Sequence, residues 1–587
     1  MPRGKKIMAC DCETDPFRYG RTPQPFIWGL YDGKDYETFA TTKEFVSRVR
    51  DERIILYAHN GGKFDFIFLL PFILETKAQI INGRIVSMFL GSAELRDSFS
   101  IIPVALRELG GKKEIEYWKL EKEHRKQHKQ EIEEYLYADC KSLYDAVTAY
   151  RNAAGKQKTI ASNALAFSRK LGIDPGKTNA RFDRSYRSFY FGGRTECFRP
   201  GTHSNLTILD IRSCYPYAMM HDHATGEHND FRSRHDFGNL SKDAINRSFI
   251  RLECSSRGAF PIRTKGPQGL FFPHDYHEFF ITGWEYNAAK DLGLIANEKI
   301  ISVDYSVKTI NFTPYVEHWY KVKSSVKKKD DPITYTIGKI MMNSLYGKLA
   351  QNPAKYFDYR IVPEGTIFCH CKQNDSCMWD YNELCPIKEA ENHGWKLEME
   401  YEGHEIHRRE SLWKYKHAEG KAWIEKPIYK NVATGASITG FARAHLLRAI
   451  HAVGNQHVVY CDTDSLICGP DADLSSLALT DAIGDWEVEA RNAPIGHFAG
   501  KKLYGLTLAD GKHKLASKGA KLTFSDIKRI ANGEIVQWKN EAPSFTLAGE
   551  ARFVVRNIRA TARPGEAPKE RRRAGQPDPT QGNLAYG

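Results

Sequence analysis

Two aspartates one residue apart mark the stretch VVYCDTDSLIC, residues 458–468. The apolar residues on both sides of Asp462 and Asp464 predict a strand, a tight turn and a second strand. Because residues i and i+2 of a strand point to one face, we expect the two carboxylates to lie together. At a separation of ~4 Å and an effective dielectric constant of ~20, they repel by ~4 kcal/mol. The pair therefore predicts a bound cation or a retained proton, and the structural alternative is a solvated hairpin turn.

Acidic residues recur at the ends of other apolar runs. Asp210 follows LTIL and precedes IRSCYPY, while Asp11 and Glu13 follow KKIMAC. Carboxylate oxygens are the ligands that Mg²⁺ prefers, so each cluster is a candidate metal site. Each acid on its own also fits an ordinary structural position at a strand end. The order of several motifs along the chain has to decide between these interpretations.

Two later segments extend the first acidic cluster. HNGGKFDFIFLL places Asn60, Phe64 and Asp65 at the start of a very apolar run. EIEEYLYADC has a helical period and places Tyr135 and Asp139 one turn apart on one face. The order D-x-E, N-x3-F-D and Y-x3-D resembles the three exonuclease motifs of the proofreading domain in family B DNA polymerases.

This resemblance implies an α/β multidomain protein in which residues 1–155 form a ribonuclease-H-like 3′–5′ exonuclease domain. Two metal ions in such a site stabilise the attacking and leaving oxygens of a phosphodiester displacement. By resemblance, Tyr135 orients the attacking water. The acids that the resemblance assigns to the metals are Asp11, Glu13, Asp65 and Asp139.

The same resemblance identifies a set of residues that binds the 3′ end of a single strand. Asn60 and Phe64 belong to this set. DSF resembles the family's Ser/Thr-Leu strand-binding motif and contributes Ser98 and Phe99, the latter in place of the usual leucine. An aromatic ring at that position can stack on a base.

The aspartates of the second half resemble the polymerase motifs of the same family. The pattern D-x2-S-x-Y-P from Asp210 resembles motif A, with Cys214 in place of the usual leucine, and D-T-D resembles motif C. The resemblance implies that Asp210 and Asp462 bridge two Mg²⁺ or Mn²⁺ ions, with Asp464 as a nearby third carboxylate. It also implies that Tyr215 lies under the sugar of the incoming dNTP.

Between motifs A and C, the segment DPITYTIGKIMMNSLYGKLAQNP has a proline near either end and predicts one helix. On this helix Lys339, Asn343 and Tyr346 form a polar stripe, which is normally only solvated. K-x3-N-S-x-Y-G, however, resembles motif B, whose lysine grips the incoming triphosphate. Lys323, in a basic segment upstream, is a candidate for a second phosphate contact.

Two short motifs flank the polymerase core. YFGGR contains Tyr190, Gly192 and Gly193 and resembles the Y-x-G-G motif that links the exonuclease and polymerase domains. Its glycines allow the backbone to approach a nucleic-acid strand closely. KLY contains Lys502 and Tyr504 and resembles the K-x-Y motif that steadies the primer end. Both pairs are therefore predicted to contact DNA.

The placement of these motifs indicates the protein-primed, phi-twenty-nine-like branch of small bacteriophages, because the exonuclease motifs begin too early for a large N-terminal domain. We expect a palm, fingers and thumb over residues 156–562, with insertions at about 225–310 and 354–430. The first insertion is expected to dock a terminal protein and to be dispensable for extending a DNA primer. The Pro- and Arg-rich end, residues 563–587, predicts a disordered basic tail.

The second insertion carries a cluster of cysteines that could hold a structural zinc ion. The cluster consists of Cys369, Cys371, Cys377 and Cys385. Its spacing, C-x-C-x5-C-x7-C, lacks the paired C-x2-C units of common zinc sites, so ordinary reduced cysteines are favoured.

Composition agrees with a DNA enzyme. The 587 residues carry 85 Lys and Arg against 72 Asp and Glu, giving a net charge of +13 that favours a polyanionic partner. No apolar run reaches ~18 residues, so a membrane-spanning helix is not expected. Twelve cysteines without a secretion signal predict reduced thiols and a protein of the cytoplasm, or of the host cytoplasm if it is viral. We also expect a monomer.

Together these features predict a DNA-directed DNA polymerase with a 3′–5′ exonuclease, which binds primer–template DNA, single strands and dNTPs. We expect protein-primed initiation with strand displacement on a viral or plasmid genome. A primer-dependent polymerase, a nuclease with a decayed polymerase half and a non-catalytic initiator-docking protein are the alternatives. The intact acids of both clusters argue against the last two, since an acidic cluster without metal repels phosphate.

Overall fold

The computed structural model describes most of the chain. The described residues are 5–17, 22–110, 114–225, 231–234, 238–263, 269–353, 356–365, 396–401, 403–410, 414–418, 421–425, 429–517, 519–540, 544–545 and 551–560. The predicted cysteine cluster and basic tail lie outside these residues, as does most of the second insertion.

The N-terminal part is a mixed sheet with one long helix across it. Its strands are β1 (Lys6–Thr14), β2 (Pro25–Tyr31), β3 (Tyr36–Phe39), β4 (Ile54–Ala58), β5 (Thr76–Ile81), β6 (Arg84–Leu90) and β7 (Ala93–Asp97). Its helices are α1 (Thr42–Val49) and α2 (Lys129–Ala154). β1 runs parallel to β4, and β4 runs parallel to β7, whereas the neighbouring pairs are antiparallel. The helix α2 packs on β1 and β2 because its apolar stripe faces the sheet.

The rest of the chain contains a palm-like antiparallel sheet and several packed helices. The helices are α3 (Ile160–Lys170), α4 (Ala180–Tyr186), α5 (Cys214–Met219), α6 (Lys242–Asn246), α7 (Gly283–Asp291), α8 (Thr313–Ser324), α9 (Pro332–Asn343), α10 (Leu345–Leu349), α11 (Val432–Ala452) and α12 (Phe524–Ala531). The strands up to the end of the second insertion are β8 (Thr195–Cys197), β9 (Gly201–Ile211), β10 (His223–Ala224), β11 (Phe231–Arg234), β12 (Ser248–Ser256), β13 (Ile262–Arg263), β14 (Leu270–Phe271), β15 (Tyr276–Thr282), β16 (Ile295–Ser306), β17 (Thr309–Ile310), β18 (Phe357–Pro363), β19 (Lys396–Tyr401), β20 (His404–Glu410), β21 (Lys414–Ala418) and β22 (Lys421–Glu425). The remaining strands are β23 (Val458–Asp462), β24 (Ser465–Cys468), β25 (Trp486–Gly500), β26 (Leu503–Thr507), β27 (His513–Ser517), β28 (Val536–Lys539), β29 (Ser544–Phe545), β30 (Ala551–Arg552) and β31 (Val555–Ile558).

The palm-like sheet has the strand order β27-β26-β25-β9-β24-β23-β8. Its helix-covered face belongs to the largest core of the protein, which also includes α2 of the N-terminal part. Tyr150 of α2 is fully buried there beside Trp319 of α8 and Met341 of α9. The two halves of the chain therefore share one core.

The first insertion folds as a small sheet of its own. Its strand order is β11-β16-β12-β15, with α6 and α7 beside it. Its core closes against α11 through Ala444 and Leu447, which are both buried. The insertion is thus anchored on a helix of the polymerase core rather than standing free.

The second insertion joins the N-terminal sheet. β18 pairs with β5 on one side and with β20 on the other, so the order of this sheet is β19-β20-β18-β5-β6-β7-β4-β1-β2-β3. Ile361 and Ile406 are fully buried in the core of the N-terminal part. The sequence did not predict this joint, because its partners are almost three hundred residues apart.

The predicted single helix of motif B is wrong, since the segment forms two helices. α9 ends at Asn343 and α10 begins at Leu345. Between them Ser344 has φ −102° and ψ −8°, and its hydroxyl donates to the carbonyl of Ile340. Asn343 also donates from its side chain to a backbone carbonyl four residues earlier, that of Lys339, at 2.8 Å. Such side-chain bonds compete with helical hydrogen bonds and favour a break.

Candidate functional site

Three aspartates of the second half meet at one end of the palm-like sheet. Asp210 lies near the end of β9 and Asp462 ends β23, while β24 lies between these strands with Ser465 in register with both acids. Asp464 lies in the turn, where Thr463 has the left-handed φ of 63°. The predicted strand–turn–strand is confirmed. We expected both acids to lie on one strand and to point to one face, but Asp464 lies in the turn, so the turn brings the two acids together.

The environment of these acids disfavours their ionised forms. Burial, followed by the charge of Asp464, raises the pKa of Asp210 to about 7. Burial, together with the charge of Asp462, raises the pKa of Asp464 to about 6. A cation at this position would reverse both effects, because it favours the charged carboxylates.

The donor set fits a hard divalent ion. All three side chains offer oxygen, and Mg²⁺ is commonly held by one or two carboxylates together with substrate phosphates. Within the described ranges, no three His, Cys, Asp or Glu side chains converge closely enough to enclose a metal ion by themselves. Oxygens from substrate or solvent would therefore have to complete the coordination.

The YFGGR segment packs directly on the D-T-D turn. The backbone N–H of Thr463 donates to the carbonyl of Arg194 at 2.6 Å, and the hydroxyl of Thr195 donates to Asp462 Oδ1 at 2.8 Å. A Cβ at Gly193 would lie 2.6 Å from the Thr463 side chain, whereas a Cβ at Gly192 would meet nothing within 4 Å. Thr195 was not predicted from the sequence, because its contact depends on the pairing of β8 with β23.

Motifs A and B meet through two aromatic rings. Tyr215 and Tyr346 stack with ring centroids 4.2 Å apart and planes 12° apart. Lys339 and Asn343 are exposed on α9. The backbone of Lys323 lies against this helix, since a Cβ at Gly338 would come within 2.7 Å of its nitrogen. Burial, followed by the charge of Lys339, lowers the pKa of Lys323, which places two positive charges near each other.

The K-L-Y turn also lies beside the D-T-D hairpin. Lys502 Nζ is 3.3 Å from Asp462 Oδ2, and its own backbone N–H donates to the hydroxyl of Tyr460 at 2.9 Å. The ring of Tyr504 lies 4.8 Å from that of Tyr460. The sequence-predicted primer-end residues are therefore brought to the same acid that motif C supplies.

The acids of the N-terminal part gather between β1 and α2. Asp11 and Glu13 lie on β1, while Asp139 is buried on α2. Burial, followed by the charges of Asp11, Asp139 and Asp65 among its neighbours, raises the pKa of the Cys140 thiol well above its usual range. Carboxylates from three separate motifs thus lie near one buried side chain. Tyr135 lies one turn before Asp139 and is also buried.

Asp65 has the most unusual environment of this cluster. It begins the short 3₁₀ helix Asp65–Phe72 and is 1% exposed. Burial raises its pKa to about 7, against a hydrogen bond from the thiol of Cys12. Its Oδ1 atom is buried and has no hydrogen-bond partner among the described residues. A buried carboxylate oxygen without a donor is a suitable ligand for a cation.

The predicted single-strand residues are held together by an arginine that the sequence did not indicate. Arg84 donates to Asn60 Oδ1 at 2.8 Å and lies 2.6 Å from Asp97 Oδ2. Its guanidinium also covers the ring of Phe99, 4.5 Å from the centroid. Arg84 could not be found from the sequence motifs, because it lies on β6, which carries none of them.

Ser98 and Phe64 differ in their availability to a ligand. Ser98 is fully buried, and its hydroxyl lies 2.8 Å from His59 Nδ1 and donates to the carbonyl of Ala58 at 3.2 Å. Phe64 is half-buried and makes an edge contact with the exposed Phe17, with ring centroids 5.8 Å apart. Ser98 therefore supports the end of β4, while Phe64 belongs to an accessible aromatic surface.

The comparisons with known proteins agree with this architecture. The family model for DNA polymerase type B, organellar and viral, matches residues 111–378. The DNA-directed DNA polymerase of Enterobacteria phage PRD1 is 35% identical over 95% of this chain and 98% of its own. A probable DNA polymerase of Agaricus bitorquis is 24% identical over 83% of this chain and 69% of its own.

Solved structures show the same fold. Phi29 DNA polymerase in a ternary complex with primer–template DNA and incoming nucleotides matches with a TM-score of 0.68 and 17% identity, over 95% of this chain and all of that one. Its complex with single-stranded DNA matches with a TM-score of 0.64 over 93% of this chain and 98% of that one. The predicted fold class, with an exonuclease-type domain in front of a right-hand polymerase domain, is confirmed.

The relatives and the fold together identify a nucleotide polymerase, and the three aspartates of the antiparallel palm sheet are its candidate metal site. The chain belongs to the type B DNA polymerases of the organellar and viral kind, and it is a DNA-directed DNA polymerase. The same relative and solved structure confirm the predicted resemblance to the phi29-like branch. Among the described residues, no helix is both long and apolar enough to cross a membrane.

Proposed function

We propose that this polymerase also hydrolyses DNA from the 3′ end, and that synthesis and hydrolysis use separate pairs of divalent ions, Mg²⁺ or Mn²⁺. When bound, such a pair stabilises the attacking and leaving oxygens of a phosphoryl displacement. For synthesis, the ions would be held by Asp210 and Asp462 with Asp464 nearby. For hydrolysis, they would be held by Asp11, Glu13, Asp65 and Asp139.

At the synthetic site the other side chains bind and orient the substrates. Lys339 and Lys323 present neighbouring positive charges to a triphosphate, and such charges stabilise the negative charge that develops during transfer. The stacked ring of Tyr215 has little freedom to move, so it excludes a 2′ hydroxyl from the sugar position. Lys502 stands beside Asp462, where the primer end must lie for its 3′ hydroxyl to react.

The proposed hydrolytic activity rests chiefly on one observation: Asp11, Asp65 and Asp139, which come from the three motifs, all lie near the buried thiol of Cys140. A structural role explains this poorly, because burying several carboxylates without a cation is costly. The half-buried Phe64, with Asn60 held by Arg84, would bind the unpaired 3′ end beside these acids. Tyr135, next to Asp139 on α2, would orient the attacking water.

The test is the degradation of a 5′-labelled single strand. The wild type should shorten the strand from its 3′ end in the presence of Mg²⁺, and the double variant Asp11→Ala with Glu13→Ala should not. Glu134→Ala, on the exposed face of α2, serves as the matched control and should degrade the strand normally. A wild-type protein that extends primers but never shortens a strand would refute the exonuclease.

We further propose that synthesis starts on a hydroxyl of a separate terminal protein. Support comes from the first insertion, which forms its own sheet on the polymerase core and leaves a polar face exposed. Tyr276 is 49% exposed on this face, and the Lys299 side chain is 71% exposed. A folded protein in the duplex channel would need such a surface to fix its register.

Initiation can be tested with a candidate terminal protein, labelled dATP and Mg²⁺, by looking for label on that protein. Tyr276→Ala with Lys299→Glu should reduce the label while extension of an annealed DNA primer persists. No label with any candidate, alongside efficient DNA-primer extension, would instead support a primer-dependent enzyme. We expect the protein to act as a monomer. We place it in the host cytoplasm, a reducing compartment that suits its eight described cysteines, which are all free and buried.

A further inference from the structure

The backbone carbonyls of the YFGGR segment are bound by arginines. Arg443 of α11 donates from Nη1 to the carbonyls of Phe191 at 2.7 Å and Gly192 at 2.9 Å. Arg263 of β13 donates to the carbonyl of Tyr190 at 2.8 Å. With its carbonyls directed inward, the segment leaves its glycine at position 192 facing open space.

Arg443 depends on the first insertion for its counter-charge. Its Nε donates to Glu285 Oε1 at 2.8 Å, and each of the two side chains is only 2% exposed. Glu285 lies in the first turn of α7, where its other oxygen accepts hydrogen bonds from the backbone and hydroxyl of Thr282. One carboxylate therefore caps a helix of the insertion and fixes an arginine of the polymerase core.

Two further contacts join the insertion to the same region. Arg194, which is also buried, donates to the carbonyl of Gly258 in the insertion at 2.9 Å. Lys501, beside the K-L-Y turn, donates to the carbonyl of Leu270. The insertion thus contacts residues next to both the YFGGR segment and the K-L-Y turn.

We propose that Glu285 is a positioning residue for primer–template DNA, acting through Arg443 on the YFGGR segment. This inference rests on the proposed contact of residues 190–194 with DNA. The segment touches the D-T-D turn through Thr463 and Thr195, so a displaced segment misplaces both the DNA strand and Asp462. The first insertion is then part of the machinery for extending any primer, in addition to docking a terminal protein.

Glu285→Gln removes the charge and the acceptor that faces Arg443, because the single amide oxygen of glutamine can still cap α7 while the NH2 group takes the place of Oε1. The variant should bind primer–template on the order of tenfold more weakly, since a small misplacement of a positioned group has effects of that size or larger. The degradation of free single strands should stay close to wild type, because the acids between β1 and α2 do not touch the segment. Glu278→Gln, in the same insertion, where Glu278 forms a solvent-exposed ion pair with Arg251, is the control and should bind normally.

The double variant Glu285→Gln with Arg443→Gln tests whether Glu285 has only a structural role. Removing one partner of a buried ion pair is destabilising, whereas neutralising both is often tolerated. The double variant should therefore recover the melting temperature that Glu285→Gln loses, without recovering the affinity for primer–template. Recovery of affinity together with stability, or wild-type affinity in Glu285→Gln, would overturn the proposal.

Gly192→Ala tests the contact of residues 190–194 with DNA separately from the positioning role of Glu285. A Cβ at this position fits the free protein, so the variant should fold normally but bind primer–template weakly. If Gly192→Ala binds normally, the segment does not contact DNA. If it binds weakly while Glu285→Gln does not, the segment contacts DNA and Glu285 has no positioning role.

Discussion

Tyr215 of motif A and Tyr346 of motif B stack face to face, with ring centroids 4.2 Å apart. The stack joins α5 to α10 and holds Tyr215 in one orientation beside Asp210. We predict that Tyr215→Val raises the ratio of kcat/KM for ribonucleotides to that for deoxyribonucleotides, because the ring no longer fills the space beneath the sugar. The measurement is single-nucleotide incorporation on one primer–template with each nucleotide in turn.

The matched control for this prediction is Tyr217→Phe. Tyr217 lies on the same short helix but packs against Phe441 and His445 of α11. Its variant should leave the sugar ratio unchanged. Tyr215→Val with normal dNTP turnover and an unaltered ratio would show that the ring does not select the sugar.

Lys502 should contribute one phosphate contact to primer–template binding. Its ammonium group lies 3.3 Å from Asp462 Oδ2 and its side chain is 48% exposed, so it can reach a phosphate of the primer end. Lys502→Gln should weaken binding and reduce the slope of log K against log salt by about 1. Lys141→Gln, an equally exposed lysine paired with Asp145 on α2, is the control and should leave the slope unchanged. An unchanged slope in Lys502→Gln would rule out the contact.

A buried histidine should make the protein less stable in mild acid. His223 lies between the carbonyl of Ala218 and the hydroxyl of Ser437, and burial lowers its pKa from 6.5 to about 4. Between these two pKa values, His223 is protonated in the unfolded chain but neutral in the folded protein. The free energy of unfolding therefore falls by up to ~3 kcal/mol as the pH drops from about 6.5 towards 4.

His223→Gln should flatten this pH dependence. The comparison is the free energy of unfolding of wild type and variant in denaturant at pH 7.5 and 5. Some slope should persist, because burial also lowers the pKa values of His221 and His445. Equal slopes in the two proteins would contradict a neutral His223.

The joint between the second insertion and the N-terminal sheet should be structural. Ile361 on β18 is fully buried in the core of that sheet, so Ile361→Ala should lower the free energy of unfolding by ~2–5 kcal/mol. Leu397→Ala, on the exposed edge strand β19, should change it by less than ~0.5 kcal/mol. Equal effects of the two substitutions, measured by denaturant unfolding, would mean that the joint does not stabilise the fold.

Sequence patterns were informative where the chemistry is local. The D-T-D turn, the acids of β1 and the helical pair Tyr135 and Asp139 could be predicted, because each pattern lies within a few residues. The break at Ser344 was missed, since motif B has helical spacing and the side-chain bonds that end α9 are not visible in that spacing.

The long-range contacts could not be predicted from the same patterns. Arg84 and Glu285 come from parts of the chain without a motif, and their partners are set by strand pairing and helix packing. The proposed role of Glu285 argues against one expectation, that the first insertion is dispensable for DNA primers. Its removal would expose the core around Leu447 and leave Arg443 without its buried partner.

The central claim is that synthesis and 3′–5′ hydrolysis occur at separate sites, and the variant Asp462→Ala tests it most directly. Both activities are measured on one 5′-labelled primer–template, with Mg²⁺ and with or without dNTPs. The account predicts no extension, together with shortening of the primer at the wild-type rate, because the hydrolytic acids lie between β1 and α2. Loss of both activities in a variant that remains folded would contradict it.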